Sequence, residues 1–225
     1  MQSNVQSRTR KLVIIAMLSA IAYVVMYFGR IALIPAAAFL KYDPKDVIIA
    51  IGGFLYGPLA ALAMSVIVAF AEMVTVSESG IIGCIMNIIS SVAFTCAAAF
   101  IYKKRRTLTG AAIGLVVGVV LCTTVMLLWN YLLVPIYTPY ITREAVMGML
   151  APIFLPFNLL KGGLNAAVAM LLYKPVRIAL DKSGLVPIKV DTGAKATKLN
   201  IGVILVSAFV VATCVLIILA MQGVI

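Results

Sequence analysis

The stretch PIFLPFNLLKGGLNAA, residues 152–167, places one lysine and two asparagines inside an otherwise apolar run. Asn158, Lys161 and Asn165 follow the spacing i, i+3, i+7, so on a helix they project within roughly 60° of one another. A lysine at mid-membrane depth costs about 2.5–3.5 kcal/mol on insertion scales. We therefore expect this face to line a polar site that the protein encloses, with the rest of the chain folded around it.

A plainer interpretation is that these side chains only hold helices together. Asparagines form hydrogen bonds between membrane helices, and a buried lysine can satisfy a backbone carbonyl. Ionisable residues within a membrane nevertheless mark functional sites in most cases, and this favours the binding-site interpretation over the structural one.

The composition indicates an integral membrane protein. Of 225 residues, 64% are hydrophobic and only 11% are charged, which excludes a water-soluble surface. The net charge of +11 comes mostly from short basic segments that flank apolar runs, a placement typical of the positive-inside rule rather than of nucleic-acid binding. The four cysteines have no CxxC spacing and the chain has no histidine, so we expect neither disulfides nor a metal site.

The apolar runs predict an all-α membrane protein with a six-helix bundle and one extra C-terminal helix. Gly57-Pro58 is interpreted as a turn, because this returns the basic cluster 103–106 to the cytoplasmic side with the N-terminus. The helix before that turn is too short to cross the membrane unaided, so its neighbours must shield it. The predicted segments are 12–34, 47–56, 59–72, 81–102, 108–136, a sixth helix from 152 to about 174, and 201–225.

Three units follow from this pattern. Residues 1–185 form the bundle, 186–200 a polar cytoplasmic linker, and 201–225 a peripheral helix that carries no polar site residue. Pro135, Pro139, Arg143 and Glu144 are expected to mark the connection that leads to the sixth helix.

Small residues predict close helix packing at two places. Ala16 and Ala20 form a small-xxx-small ridge on the first helix, which suits a partner protein as well as packing within the chain. Gly110, Gly114 and Gly118 recur every four residues in the fifth helix and favour close contact there.

The predicted site lies toward the outer face and combines amides, one cation and aromatic rings. An asparagine amide presents a donor beside an acceptor and so matches the N–H and C=O edge of a heterocycle. These residue types favour a flat, nearly neutral ligand. The candidate ligand-binding residues are Leu40, Lys41 and Tyr42 in the 35–46 connection, Glu72 near the rim, and Asn87, Asn130, Asn158, Lys161 and Asn165 on helices.

Three motifs, in this order along the chain, resemble a known family. FLKYDPKDVIIAIGGFLYGPLAA (39–61), the pattern SxSGxxGxxMN (77–87) and PFNLLKGGLN (156–165) are similar to the substrate-binding S components of energy-coupling factor (ECF) vitamin transporters, and most of all to the riboflavin-specific member. The likeness covers about residues 10 to 185. It implies a six-helix bundle in a bacterial plasma membrane that binds a vitamin at its outer face.

The resemblance also implies residue roles and partners. Asn130, Asn158 and Lys161 match positions that hydrogen-bond the isoalloxazine ring, and residues 40–42 match a loop that closes over the ligand. Ala16 and Ala20 match a ridge that docks onto the transmembrane coupling subunit EcfT, which works with two ATP-binding cassette ATPases. The ligand implied is riboflavin, with flavin mononucleotide left open, and the extra helix 201–225 departs from the family pattern.

The residues themselves argue against an enzyme. The chain has no G-x-x-x-x-G-K-[ST] loop and no nucleophile with an adjacent base, so we expect a transport subunit without a cofactor of its own. Two alternatives stay open: uptake of another vitamin or nucleobase-like ring, and a membrane assembly protein whose polar face only joins helices.

Overall fold

A computed structural model of the chain describes residues 2–34, 37, 39–77, 79–138, 141–182 and 201–222. The predicted linker 186–200 and the boundary at residue 185 lie outside these ranges, so the division into three units stays a prediction. Within the described ranges the chain is almost entirely helical. The elements are α1 (Gln2–Gly29), β1 (Ile31–Ala32), β2 (Lys41–Tyr42), α2 (Lys45–Tyr56), α3 (Pro58–Thr75), α4 (Gly80–Lys104), α5 (Leu108–Tyr137), α6 (Arg143–Met149), a π-helical segment (Leu150–Phe154), α7 (Leu155–Lys182) and α8 (Ile201–Met221).

The predicted fold class is confirmed. Among the described residues, six helical segments are long and apolar enough to cross a membrane, with α6, the π-helical segment and α7 forming one of them and α8 another. The 12-residue α2 completes a bundle of six helices, and α8 is the additional C-terminal helix.

The short helix α2 lies inside the bundle, as the sequence predicts. Its 12 residues span about 18 Å, well short of the hydrocarbon thickness of about 30 Å. It packs against α1, α3, α4 and α7, and most of its residues are buried. The neighbouring helices therefore shield both of its ends from lipid.

The predicted turn between α2 and α3 is present at Gly57. This glycine has φ +92°, a conformation that disfavours a side chain, and Pro58 occupies the first position of α3, where its missing N–H costs nothing. The chain therefore reverses here rather than continuing as one helix.

The first helix ends earlier than predicted. Its last residue is Gly29 instead of Ile34, and Ile31 pairs with Tyr42 in a two-stranded antiparallel hairpin. Gly29 approaches Pro44 so closely that a Cβ atom there would lie 2.7 Å from the proline Cγ. Contact with the returning chain therefore ends the helix, and this contact is not evident from the local sequence.

The sixth helix begins earlier than predicted. Thr142 caps it by accepting a hydrogen bond from the amide of Ala145 at 3.3 Å, so Arg143 and Glu144 lie in α6 rather than in a connection. Pro152 lies within the π-helical segment, whose wider turn accommodates a proline without ending the helix.

The helices α4 and α5 are in close contact through glycine. A Cβ atom on Gly114 would lie 2.7 Å from the carbonyl oxygen of Ala98, and one on Gly118 would lie 2.5 Å from that of Phe94. The packing predicted for these two glycines is confirmed. Gly110 instead faces the backbone of Arg105 within the preceding turn.

One face of α1 packs on the bundle, and the other is exposed within the part of the chain that the structure describes. Ile14, Ile15 and Leu18 are buried against α2 and α3. Ala16 and Ala20, the predicted ridge, are exposed on the opposite face.

Candidate functional site

A cavity of about 90 Å³ lies at the end of the bundle where α4 begins and α5 ends. We call the segment between α1 and α2, residues 30–44, the α1–α2 connection; its residues 39–41 and 43 form one wall of the cavity. The other walls come from α3, α4, α5 and α7. The predicted site residues that line it are Leu40, Lys41, Glu72, Asn87, Asn130, Asn158 and Lys161.

Tyr42 and Asn165 lie beside the cavity rather than in its wall. The Tyr42 hydroxyl donates a hydrogen bond of 2.9 Å to Oδ1 of Asn165, and both side chains are buried. This bond ties the α1–α2 connection to α7. The shared face predicted for α7 therefore divides: Asn158 and Lys161 lie at the cavity, and Asn165 lies one turn further along.

Asn158 reaches the cavity at the point where the π-helical segment passes into α7. Its side-chain amide donates a hydrogen bond of 2.7 Å to the carbonyl oxygen of Phe154, which orients the amide group. Asn130, on α5, is 5% exposed and lines the same cavity. The structure thus brings together two amides that are distant in sequence.

A network of buried charges underlies the cavity. The Lys45 ammonium lies 2.5 Å from Oε2 of Glu72 and 3.5 Å from Oδ2 of Asp43. The Lys161 ammonium lies 3.6 Å from the same Asp43 oxygen, and Arg30 contacts Oε1 of Glu72 at 3.6 Å. Each cation therefore faces a carboxylate, which is what makes burial of these charges tolerable.

Glu72 is buried in this network rather than near the rim as predicted. Only 1% of its side chain is exposed, because both of its oxygens face cations carried by the α1–α2 connection and α2. Its position at the end of α3 brings it beneath the connection.

Sequence analysis missed four residues of the site region: Arg30, Asp43, Lys45 and Asp46. The Lys45 side chain is only 1% exposed. Asp46 accepts a hydrogen bond of 2.6 Å from the Ser91 hydroxyl. One signal was available in the sequence. The run DPKD, residues 43–46, leads into α2, and because this helix is too short to span the membrane, the fold carries the charges of the run into the bundle.

The surroundings of the α1–α2 connection favour a charged Asp43 and a neutral Tyr42. Burial alone would raise the pKa of Asp43, but Lys161, Lys45 and Arg30 together hold that pKa below its ordinary value. Burial, reinforced by the charge of Asp43, raises the pKa of the Tyr42 hydroxyl. The hydroxyl therefore stays protonated and donates its hydrogen bond to Asn165. At neutral pH the connection therefore presents a fixed negative charge to Lys161.

Comparison with known proteins identifies the family. The family model for the substrate-specific component of ECF transporters matches residues 10–173. The riboflavin transporter FmnP of Bacillus subtilis is 32% identical over 174 residues, which cover 74% of this chain and 91% of that protein. The riboflavin transporter RibU of Streptococcus thermophilus is 29% identical over 184 residues, covering 78% and 87% respectively.

A solved S component of a bacterial ECF transporter has the same fold. It superposes with a TM-score of 0.64 at 28% sequence identity, and the match covers 77% of this chain and 98% of that one. The family match ends at residue 173, so α8 lies beyond it. Sequence and fold agree that this chain belongs to the family of ECF transporter substrate-specific components.

Proposed function

We propose that this protein binds riboflavin at the cavity and acts as the vitamin-capturing subunit of an ECF importer. The observation that carries the proposal is the convergence of Asn130, Asn158 and Lys161 on one cavity from two different helices. Relatives named as riboflavin transporters support it.

The chemistry of these residues suits the edge of a flavin ring. Each asparagine amide offers a donor and an acceptor, which complement the adjacent N–H and C=O groups of the pyrimidine part of the ring. Lys161 adds a donor for a ring nitrogen or carbonyl. Phe39 and Leu40, which also line the cavity, provide apolar surface for the ring faces.

Ligand entry requires the cavity to enlarge. Pockets for ligands of drug size hold roughly 300–1,000 Å³, several times the volume of about 90 Å³ found here. The wall formed by residues 39–43 is held by a two-residue strand pair and by side-chain bonds, whereas the remaining walls are long packed helices. We infer that this wall moves outward to admit riboflavin and returns over it.

The positive-inside rule places the site at the extracellular end. Lys103 and Lys104 end α4, at the opposite end of that helix from Asn87, and Arg8 and Arg10 lie in the N-terminal part of α1. With these basic residues in the cytoplasm of a bacterial cell, the N-terminus is cytoplasmic and the cavity faces outward.

Transport itself requires partners. We propose that the exposed Ala16 and Ala20 dock on EcfT, which two ATP-binding cassette ATPases drive, since this chain contains no nucleotide-binding loop of the Walker type. The protein is thus a binding subunit that neither catalyses a reaction nor holds a cofactor of its own.

Quenching of riboflavin fluorescence by the purified protein tests the proposal. Lys161→Met should weaken binding by about 10- to 100-fold, because a charge-assisted hydrogen bond is worth roughly 1.5–3 kcal/mol. Lys103→Met, an exposed lysine at the other end of the bundle, is the matched control and should bind normally.

Two other results would contradict the assignment of the cavity to riboflavin. Normal binding by Lys161→Met together with higher thermal stability would favour a protein whose polar face only joins helices. Displacement of riboflavin by another vitamin or a nucleobase at lower concentration would assign the site to that ligand.

A further inference from the structure

The helix α8 meets the bundle through one narrow face. Ser207 and Cys214 are its buried residues, and Val210, Val211, Ile218 and Met221 lie on the same side at helical spacing. Most of the remaining side chains, such as Phe209 and Leu216, are exposed and suit contact with lipid. The contacts of this one face therefore define what α8 does in the protein.

That face belongs to the same apolar cluster as the α1–α2 connection. Leu33, Ile34, Ala37 and Tyr42 of the connection pack with Phe157, Leu160 and Leu164 of α7, and Cys214 completes the buried part of this cluster. Leu40, which lines the cavity, packs against its edge. The outer half of α8 therefore supports the wall of the cavity from behind.

The helix α8 contacts α7 beside Cys214. A Cβ atom on Gly163 of α7 would lie 3.5 Å from Sγ of Cys214, an ordinary van der Waals distance. Toward its start, α8 is separated from α5 by an apolar cavity of about 600 Å³ lined in part by Val116, Val119 and Val206. At the level of Cys214, α8 therefore lies against α7 and the cluster that includes the connection.

Polar and aromatic contacts also hold the connection. Among its described residues these include the β1–β2 pair, the Tyr42–Asn165 bond, the ion pairs of Arg30 and Asp43, and the ring contact between Phe39 and Phe154. Burial of Leu33, Ile34 and Ala37 in the shared cluster adds an apolar contribution. Removing apolar contacts from α8 should therefore make outward movement of residues 39–43 less costly.

We propose that α8 is a positioning element of the binding site, which holds the α1–α2 connection against α7 and so slows release of the bound vitamin. The proposal rests on the proposed function for the identity of the ligand. Val211 and Ile218 are the positioning residues, because they reach the cluster without touching the cavity.

The test compares two double variants of the full chain in detergent. Val211→Ala with Ile218→Ala removes apolar atoms from the packed face, and Val215→Ala with Leu216→Ala removes the same number of carbon atoms from the lipid-facing side of the same helix. We expect the first variant to release riboflavin roughly tenfold faster, measured by stopped-flow fluorescence, and the second to match the unmodified protein.

A second measurement does not depend on riboflavin. Amide hydrogen exchange across residues 30–44 of the ligand-free protein should accelerate in the Val211/Ile218 variant and stay unchanged in the control. If hydrogen exchange and riboflavin release are unaltered in the Val211/Ile218 variant, even with a lower melting temperature, then α8 only stabilises the fold and the inference is overturned. Failure of the unmodified protein to bind riboflavin would instead overturn the proposed function, while the exchange rates would still decide the role of α8.

Discussion

At the scale of single residues, Asp43 joins the α1–α2 connection to α2 and α7. Its Oδ2 atom lies within 3.6 Å of the Lys161 and Lys45 ammonium groups, so one carboxylate from the α1–α2 connection compensates cations from α7 and α2. Its Oδ1 atom is buried without a hydrogen-bond donor among the described residues. Asp43 therefore sets the position and charge of Lys161 and offers an acceptor toward the cavity.

Replacing Asp43 with asparagine should lower the melting temperature of the ligand-free protein at pH 7 by several degrees, because Lys161 and Lys45 lose their shared carboxylate. The pKa of Asp43 is lower in the folded than in the unfolded state, where it is about 3.9, so its stabilisation is complete above that pH. The stabilisation is lost as the pH falls through the folded-state pKa.

The measurement is thermal unfolding of both proteins between pH 7 and pH 3. We expect a constant difference in melting temperature down to about pH 4 and a smaller one below. Glu144→Gln, at an exposed carboxylate of α6, serves as the control and should change little at any pH. A difference that widened on acidification would contradict the assignment of a charged, stabilising Asp43.

At the scale of elements, helix contacts decide where the site residues lie. The α4–α5 pair carries Asn87 on one helix and Asn130 on the other, and glycine keeps their axes close. The spacing of Gly114 and Gly118 predicted close packing of α5, and the structure shows that α4 is the partner helix. The hairpin β1–β2 was not predictable, since strands of two residues leave no periodic signal.

Gly114→Ala should destabilise the protein by about 1–3 kcal/mol, because the new methyl group would meet the backbone carbonyl of Ala98 and force the helices apart. Gly148→Ala is the matched control, since a Cβ atom there has no neighbour within 4 Å, and it should be neutral or slightly stabilising. Thermal unfolding of the two variants in the same detergent measures the difference. Equal melting temperatures would show that the close α4–α5 contact is not needed for stability.

At the scale of the whole molecule, binding and docking occupy different surfaces. The cavity lies at one end of the bundle, and the ridge of Ala16 and Ala20 lies on the exposed side of α1. A change on the ridge should therefore separate ligand capture from transport.

Ala16→Trp with Ala20→Trp should reduce riboflavin uptake and co-purification with the coupling module by on the order of tenfold, because bulky side chains prevent close approach of another helix. Binding of riboflavin by the isolated subunit should stay normal. Leu128→Trp, which alters an exposed position on α5, should affect neither uptake nor binding. Uptake that survives the double tryptophan change would place the docking surface elsewhere.

The sequence by itself determined the membrane location, the reversal at Gly57, the number of helices and the polar face of α7. Each of these depends on composition or on local spacing, which a single chain reveals directly. Only the tertiary structure decided that α1 ends at Gly29, that Asp43 and Lys45 are buried beside Glu72, and that α8 shares an apolar cluster with the α1–α2 connection. These features depend on contacts between residues distant in sequence, and the free energy of burying a charge is set by the partner that the fold brings to it.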